Sequence, residues 1–375
     1  MRFDLSADQR LLQSATADFL DRYGSIPVTR ELHEAGRAFD RALWQRGAEL
    51  GWTSLIVPEA AGGGSVSGEG IVDATIIAEQ LGRYTAPGPF VAVNVVASAL
   101  AEADNSDDHA DLLQRLLSGE AVATWACYPP DGGWDPERGA VETTADGDGY
   151  RLTGMHDRVE AASDADVFLV LARTGAGLSQ FVVPRDAAGL SVRPMESLDM
   201  TRSFGRVEYQ AVHVAANALV GTEGRAESAV ERQLQVAVVL QCAELVGVID
   251  KVLEFTAQWM VDRYSFGRPL ASYQALKHRM ADMTLWSHSA QATMAAAAAA
   301  VQERRDDAAE LVSIAKSYVG QRATDIIQDC VQLHGGIGVT WEHDIHIYLR
   351  RATVDRVTWG TPSDHRRRIA DLLNV

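Results

Sequence analysis

Cysteine is scarce in this chain. Cys127, Cys242 and Cys330 are odd in number and far apart, so neither a disulfide framework nor a CxxC metal or redox motif is on offer, and a reducing, cytoplasmic setting is expected. Basic charge is also in deficit: 34 lysines and arginines face 51 aspartates and glutamates, for a formal net charge of -17. An acidic surface repels phosphate backbones and has no counterions to release from them, which argues against nucleic acid as a partner. The opening Met1-Arg2-Phe3-Asp4-Leu5-Ser6-Ala7-Asp8 carries acids where a secretion signal needs a basic end and an apolar stretch, so no such signal is expected. The longest apolar run, around Ala295 to Val301, is mostly alanine and shorter than the ~20 residues of a spanning helix, so no membrane span is expected.

What is present is enough apolar sequence for more than one core: 375 residues, 47% of them hydrophobic, exceed the size at which a single core keeps growing. From Ala7 to about Leu117 the apolar residues recur at helical spacing, with Leu11, Leu12, Ala15 and Phe19 on one face, and runs such as Pro58 to Gly64 and Ala86 to Pro89 break the pattern. Between about Glu120 and Gly224 short β-rich runs take over, among them Val122 to Tyr128, Val167 to Leu171 and Val207 to Val214, bounded by Asp/Gly and Pro clusters. Long helical patterns return from Ala226, and helices beyond ~25 residues belong to bundles and oligomer cores. The expected fold is α+β, with an N-terminal helical domain over 1–119, a middle antiparallel β domain over 120–225 and a C-terminal helical bundle over 226–375.

Two C-terminal stretches narrow this further. Arg263-Tyr264-Ser265-Phe266-Gly267-Arg268-Pro269-Leu270, followed by Tyr273-Gln274-Ala275 and Ala281-Asp282-Met283, and then Gln332-Leu333-His334-Gly335-Gly336-Ile337-Gly338, resemble the two signatures of the acyl-CoA dehydrogenase family. Leu50-Gly51-Trp52 and Val57-Pro58-Glu59, with Gly62 and Gly63 following, match that family in place and spacing. The resemblance covers almost the whole chain. It implies an acyl-CoA dehydrogenase-like tetramer, homomeric or mixed, with FAD between the β domain and the bundle, an acyl-CoA substrate and an electron-transfer flavoprotein as the usual acceptor. By matching position, Arg263 would neutralise the FAD diphosphate, Phe266 would pack near the adenine end, and Gln332, Gly335 and Gly336 would let backbone approach the cofactor; Thr361 joins them as a cofactor contact. These residue types suit the task, since arginine offers a planar fork of donors and glycine leaves room for a ligand against the backbone.

The departures from the family are as informative. Acyl-CoA dehydrogenation needs a carboxylate to take the α proton while a β hydride passes to flavin. Where much of the family has that carboxylate in a Tyr-Glu-Gly-Thr motif, this chain has Thr358-Trp359-Gly360-Thr361, and a second known location holds Ala237. Glu244 remains as a candidate base. It lies in Val236 to Ile249, a stretch whose only polar side chains besides it are those of Gln241, and a helix apolar all round is buried. No basic residue stands at i±3 or i±4 from Glu244, so burial without an adjacent cation would raise its pKa toward a general base's range, and Gly247 on the same face would leave space for a ligand. The β domain departs too: Tyr128-Pro129-Pro130 replaces Thr-Glu-Pro, and Arg158-Val159-Glu160 replaces Trp-Ile-Thr beside the flavin. An anionic Glu160 would disfavour a reduced, negatively charged isoalloxazine.

Three functions are therefore in play: an FAD-dependent acyl-CoA dehydrogenase with Glu244 as base, as in branches resembling steroid side-chain dehydrogenases; a flavin-poor partner that completes the sites of a homologous subunit; and a flavin monooxygenase on the same fold. His334, His343 and His346, near Glu342 and Asp344, lack both a HExxH pattern and a nearby cysteine, so no metal site is expected.

Overall fold

Ser6 and Gln9 begin the first helix with a reciprocal cap: the Gln9 amide donates to the Ser6 hydroxyl at 3.1 Å and the Ser6 amide to the Gln9 side-chain oxygen at 3.0 Å. Two amides that a helix N-terminus leaves without partners are thereby satisfied. The computed structural model describes residues 5–375. Its N-terminal region is built from α1 (Ala7–Tyr23), α2 (Ile26–Glu34), α3 (Arg41–Glu49), α4 (Gly70–Tyr84), α5 (Phe90–Ala101) and α6 (Ala110–Leu117). The turn after α3 is tied by Trp52, whose ring lies so close to Gly47 that a Cβ there would meet it at 2.3 Å. Helix α5 is rich in valine, yet every residue from Phe90 to Leu100 is buried, and that burial overrides a modest helix propensity.

The middle region is one sheet formed by β1 (Ala123–Ala126), β2 (Val141–Asp146), β3 (Gly149–Glu160), β4 (Val167–Thr174), β5 (Gly177–Pro184), β6 (Leu190–Met195), β7 (Phe204–Ala215) and β8 (Leu219–Val220), with the short helix α7 (Pro136–Gly139) between its first two strands. The path runs β6-β7-β3-β2-β4-β5-β8, with β1 paired to β4. Both β1 and β2 run parallel to β4. The sheet is therefore mixed, which corrects the antiparallel expectation. The connection from β1 to β4 holds α7, β2 and β3, long enough to bring the chain back in the same direction.

The C-terminal region consists of α8 (Glu227–Asp262), a hairpin of β9 (Tyr264–Ser265) and β10 (Arg268–Pro269), then α9 (Gln274–Gln302), α10 (Ala308–His334), α11 (Ile345–Val357) and α12 (Pro362–Leu373). Every residue of α8 from Val236 to Ile249 is buried, because α4, α5, α9, α10 and α11 all pack on it. The crossing with α4 is close: a Cβ on Gly82 would meet the Glu244 carbonyl oxygen at 2.0 Å, and one on Gly247 would meet that of Glu79 at 1.9 Å. Gly247 thus admits the backbone of α4, not a ligand, which corrects the reading of that glycine. In α9 the alanine run packs inward, with Ala297, Ala298 and Ala300 buried. No helix among the described residues is long and apolar enough to cross a membrane.

Candidate functional site

The two C-terminal signatures meet at one end of the bundle. Helix α8 stops at Arg263, whose extended backbone (φ -86°, ψ 121°) turns the chain into the β9–β10 hairpin. The two residues at its tip, Phe266 and Gly267, both have positive φ, at 51° and 78°, the pattern of a type I′ turn, which ordinarily takes Asn-Gly. A phenylalanine there is strained, and its ring is 98% exposed. From the other side α10 ends at Gln332-Leu333-His334, and Gly335 adopts φ 66°, ψ -141°, a combination reserved for glycine. A Cβ on Gly335 or Gly336 would meet nothing within 4 Å, so backbone is open to a neighbour at both.

One indole joins these motifs. The Trp259 ring stacks on His334 with centroids 5.2 Å apart, its Nε1–H donates to the Leu333 carbonyl at 3.3 Å, and the Arg263 guanidinium lies over it at 5.8 Å. Arg263, Phe266, Gln332, Gly335 and Gly336 are all exposed, beside the exposed apolar side chains of Tyr264, Ile337 and Val339. An available guanidinium, open glycine backbone and a bare aromatic ring are the groups that can receive a phosphate-bearing, partly aromatic ligand.

The cleft between sheet and bundle is the opposite. Trp359, in the place of the usual base, has φ 60° and is 3% exposed. It stacks between Trp125 (5.4 Å, 18°) and Tyr128 (5.3 Å, 29°), and its backbone N–H donates to the Tyr128 hydroxyl at 2.5 Å. The Arg158 guanidinium covers Tyr128 at 4.8 Å and donates to the carbonyls of Pro129, Gly132 and Gly133. The space among Trp125, Tyr128, Arg158, Glu160, Phe204 and Trp359 has no room even for water. A neighbouring cavity of about 190 Å³, lined by Met195, Leu198, Phe204 and Val357 among others, is smaller than the ~300–1,000 Å³ usual for ligand pockets. Thr361 caps α12: its hydroxyl donates to the Asp364 carboxylate at 2.7 Å and accepts from the Asp364 amide at 3.2 Å.

Beneath the closed cleft lies a buried charge network that contains Glu244. Arg202, from the segment between β6 and β7, donates to Glu160 with one guanidinium nitrogen and to Glu244 with another. Arg351 of α11 lies 3.7 Å from Glu244, and it donates to Asp199 at 2.7 Å and to Thr201. Asp355 is fully buried beside Arg202 at 3.5 Å, with both carboxylate oxygens lacking a hydrogen bond. Lys316 of α10 donates to the Gln241 side chain and, at 2.5 Å, to the Asp355 carbonyl. The expectation that Glu244 has no cationic neighbour is therefore corrected. Its partners come from segments remote in sequence, which a search along its own helix could not find. Burial pushes its carboxyl up, while Arg202 and Arg351 pull it down. Burial likewise raises Asp355 to about 7 and lowers Lys316 to about 8. Glu244 lines neither the closed space nor the cavity beside it, so its carboxylate is placed to hold a guanidinium.

Among the histidines, His334 and His343 face each other with ring centroids 4.5 Å apart, and the Nδ1 of His334 is 2.8 Å from the Cys330 carbonyl. No group of three or more metal-ligating side chains is gathered among the described residues.

Comparison with known proteins gives a consistent match along the chain. The model described as the acyl-CoA dehydrogenase N-terminal domain matches residues 6–120, the middle-domain model 129–212 and the C-terminal-domain model 225–373. Acyl-CoA dehydrogenase IpdE2 of Mycolicibacterium smegmatis is 27% identical over 366 residues, covering 97% of this chain and 98% of that protein. The ChsE4-ChsE5 complex from Mycobacterium tuberculosis has a chain 27% identical, with a TM-score of 0.89 and coverage of 100% of this chain and 99% of that one. A Tcur3481-Tcur3483 steroid acyl-CoA dehydrogenase variant is 28% identical, with a TM-score of 0.87 over 98% of this chain and 97% of that one.

Proposed function

The chain belongs to the acyl-CoA dehydrogenase family, and from that premise we propose that it is the flavin-poor subunit of a mixed acyl-CoA dehydrogenase oligomer, completing the FAD site of a homologous subunit. The observation that carries this reading is the contrast between a cleft filled by Trp359 and its stacking partners and an open surface holding Arg263, Phe266, Gln332, Gly335 and Gly336. The residues of this chain's own cleft do not fit an isoalloxazine ring: they leave no space for it, and Glu160 and Glu244 are already committed to Arg202. No chemical step is therefore assigned to that cleft.

The open surface does fit the dinucleotide arm of FAD. Arg263 would meet the diphosphate with charge-assisted hydrogen bonds, Phe266 would lie along the adenine end, and Gln332, Gly335 and Gly336 would offer side-chain amide and backbone contacts. When bound, FAD supplies the hydride acceptor for α,β-dehydrogenation of an acyl-CoA thioester, and this chain's task is to hold the cofactor's far end. The mixed assembly also accords with the likeness to one chain of the ChsE4-ChsE5 complex. The likeness to a protein described as a steroid acyl-CoA dehydrogenase supports a bulky polycyclic acyl group as substrate. That group would occupy the homologous subunit, since the cavity of about 190 Å³ beside this chain's filled cleft falls short of ligand size.

An absorption spectrum tests the reading. The chain purified alone should be colourless, and co-expression with a flavin-retaining homologous chain should yield a complex with flavin bands that bleach on adding a CoA thioester. A lone chain carrying stoichiometric FAD that bleaches with substrate would overturn it.

A further inference from the structure

The family signatures account for Arg263 and for the glycines after α10, but not for what holds them in register. Arg263 is exposed, and a free arginine side chain gives up much rotamer freedom when it is fixed on a ligand. Its guanidinium here lies over the indole face of Trp259 at 5.8 Å. The other partners of that indole belong to the second signature: the ring stacks on His334 at 5.2 Å and 19°, and its N–H donates to the Leu333 carbonyl at 3.3 Å. That carbonyl is in the last turn of α10, where main-chain oxygens lack helical partners, just before the Gly335 turn. Trp259 itself is half-buried.

We propose that Trp259 is a positioning residue for the FAD dinucleotide arm, its face pre-orienting the Arg263 guanidinium while its N–H and its stack on His334 fix the turn that presents Gly335 and Gly336. The inference rests on the reading of this surface as an FAD half-site. An arginine held in its binding geometry before the ligand arrives loses less on association than one that is free to rotate. The indole, carried by α8, touches both halves of the cradle at once and so ties the guanidinium and the turn at the end of α10 to one register. Tryptophan is the aromatic side chain that offers both a large cation-binding face and an N–H donor.

The test is a mutant cycle on FAD affinity, read by flavin fluorescence in whichever assembly of this chain holds FAD, using Arg263→Ala, Trp259→Leu, Trp259→Phe and the Arg263→Ala/Trp259→Leu double variant. Arg263→Ala should weaken FAD by about 10- to 100-fold, the loss of a charge-assisted contact. Trp259→Leu should weaken it by about three- to fivefold, the scale of an exposed cation–π contact. Trp259→Phe, which keeps a ring face, should recover most of that loss. The decisive arm is the double variant: the share of the Trp259 effect that runs through Arg263 vanishes once Arg263 is gone, so the double variant should bind FAD at least about twofold more tightly than full additivity predicts, the remainder reporting the glycine turn. Full additivity would overturn the inference and make Trp259 a packing residue, as would Trp259→Leu and Trp259→Phe both leaving affinity unchanged while Arg263→Ala weakens it. No effect of Arg263→Ala would instead sink the half-site reading, and this inference with it. Melting curves of each assembly exclude loss of fold as the cause.

Discussion

Trp359 and Phe266 are both bulky aromatic residues in the left-handed region of backbone space, at φ 60° and 51°, and their surroundings are opposite. Trp359 is 3% exposed and Phe266 98%. A left-handed conformation costs an ordinary residue about 1–2 kcal/mol, so each must be held there by something. At Trp359 the chain itself supplies it: two stacked rings and a hydrogen bond to the Tyr128 hydroxyl. At Phe266 the turn is held only by the backbone pairing of the short hairpin and the Tyr273 hydroxyl on the Ser265 carbonyl, and the side chain itself stands in solvent. The cleft is filled by the chain's own side chains, and the tip of the hairpin is left uncovered. That difference teaches where to look for the function: a strained residue left uncovered points to the surface on which to test a ligand or partner, and one stacked on both faces points to a space that the chain fills itself.

The strongest way to break the comparison is to cut the network that underlies the closed side. Arg202→Met removes the guanidinium shared by Glu160 and Glu244 and leaves two buried carboxylates without their main counter-charge. Loss of one partner from a buried pair costs about 3–5 kcal/mol, and urea denaturation of the lone chain should show a loss in that range. A loss below ~1 kcal/mol would mean that the cleft is held by its aromatic stack alone.

A paired substitution tests the two strained residues directly. Trp359→Gly should destabilise by about 2–4 kcal/mol, a large cavity cost reduced by relief of strain. Phe266→Asn, which creates the Asn-Gly pair favoured in type I′ turns, should stabilise the lone chain by about 1 kcal/mol while weakening its assembly with the flavin-retaining subunit. Equal signs in denaturation, or a Phe266→Asn chain that assembles as well as wild type, would remove the distinction between a closed and an awaiting site.

The fold was legible in the sequence wherever the information is local. The change of apolar period near residues 120 and 226 coincides with the ends of α6 and β8 and the start of α8, because each period belongs to one kind of element. Strand direction leaves no such mark, and the parallel pairing of β1 and β2 with β4 went unread. On the open surface the motif residues could be named, since Arg263 and Phe266 are neighbours in one segment and Gln332, Gly335 and Gly336 in another; the indole that joins the segments could not. At Glu244 the local signal was misleading. The apolar helix correctly implied burial, but Arg202 and Arg351 reach it from other regions, and the glycine next to it is filled by the α4 backbone. Contacts between distant segments are where a single helical face says least.

The smallest effect concerns the proton balance of the closed side. Glu160, Asp199, Glu244 and Asp355 share the network with Arg202, Arg351 and Lys316, four acids against three bases, so one acid is left without a charge to match. The geometry points to Asp355, whose oxygens have no hydrogen bond and whose carboxyl burial raises to about 7 against the pull of Arg202 and Arg351. A carboxyl raised on folding binds its proton more tightly in the native state than in the unfolded one. Its contribution is thus present at low pH and lost as pH rises through the folded pKa. Between pH 6 and 8 the loss amounts to about 1.4 kcal/mol for a single group of that kind. Buried His156 and His365, lowered by burial to about 3 and about 4, act in the opposite sense over the same window, because they bind protons in the unfolded state that the native state refuses. The readout is therefore the difference between wild type and Asp355→Asn, which keeps the histidines and removes the titrating acid. Measured by urea denaturation, the stability of the variant relative to wild type should rise by about 1.4 kcal/mol from pH 6 to pH 8. A flat difference would mean that Asp355 is already ionised at pH 6, with Arg202 close enough to hold it so, and that the closed side carries an unmatched negative charge.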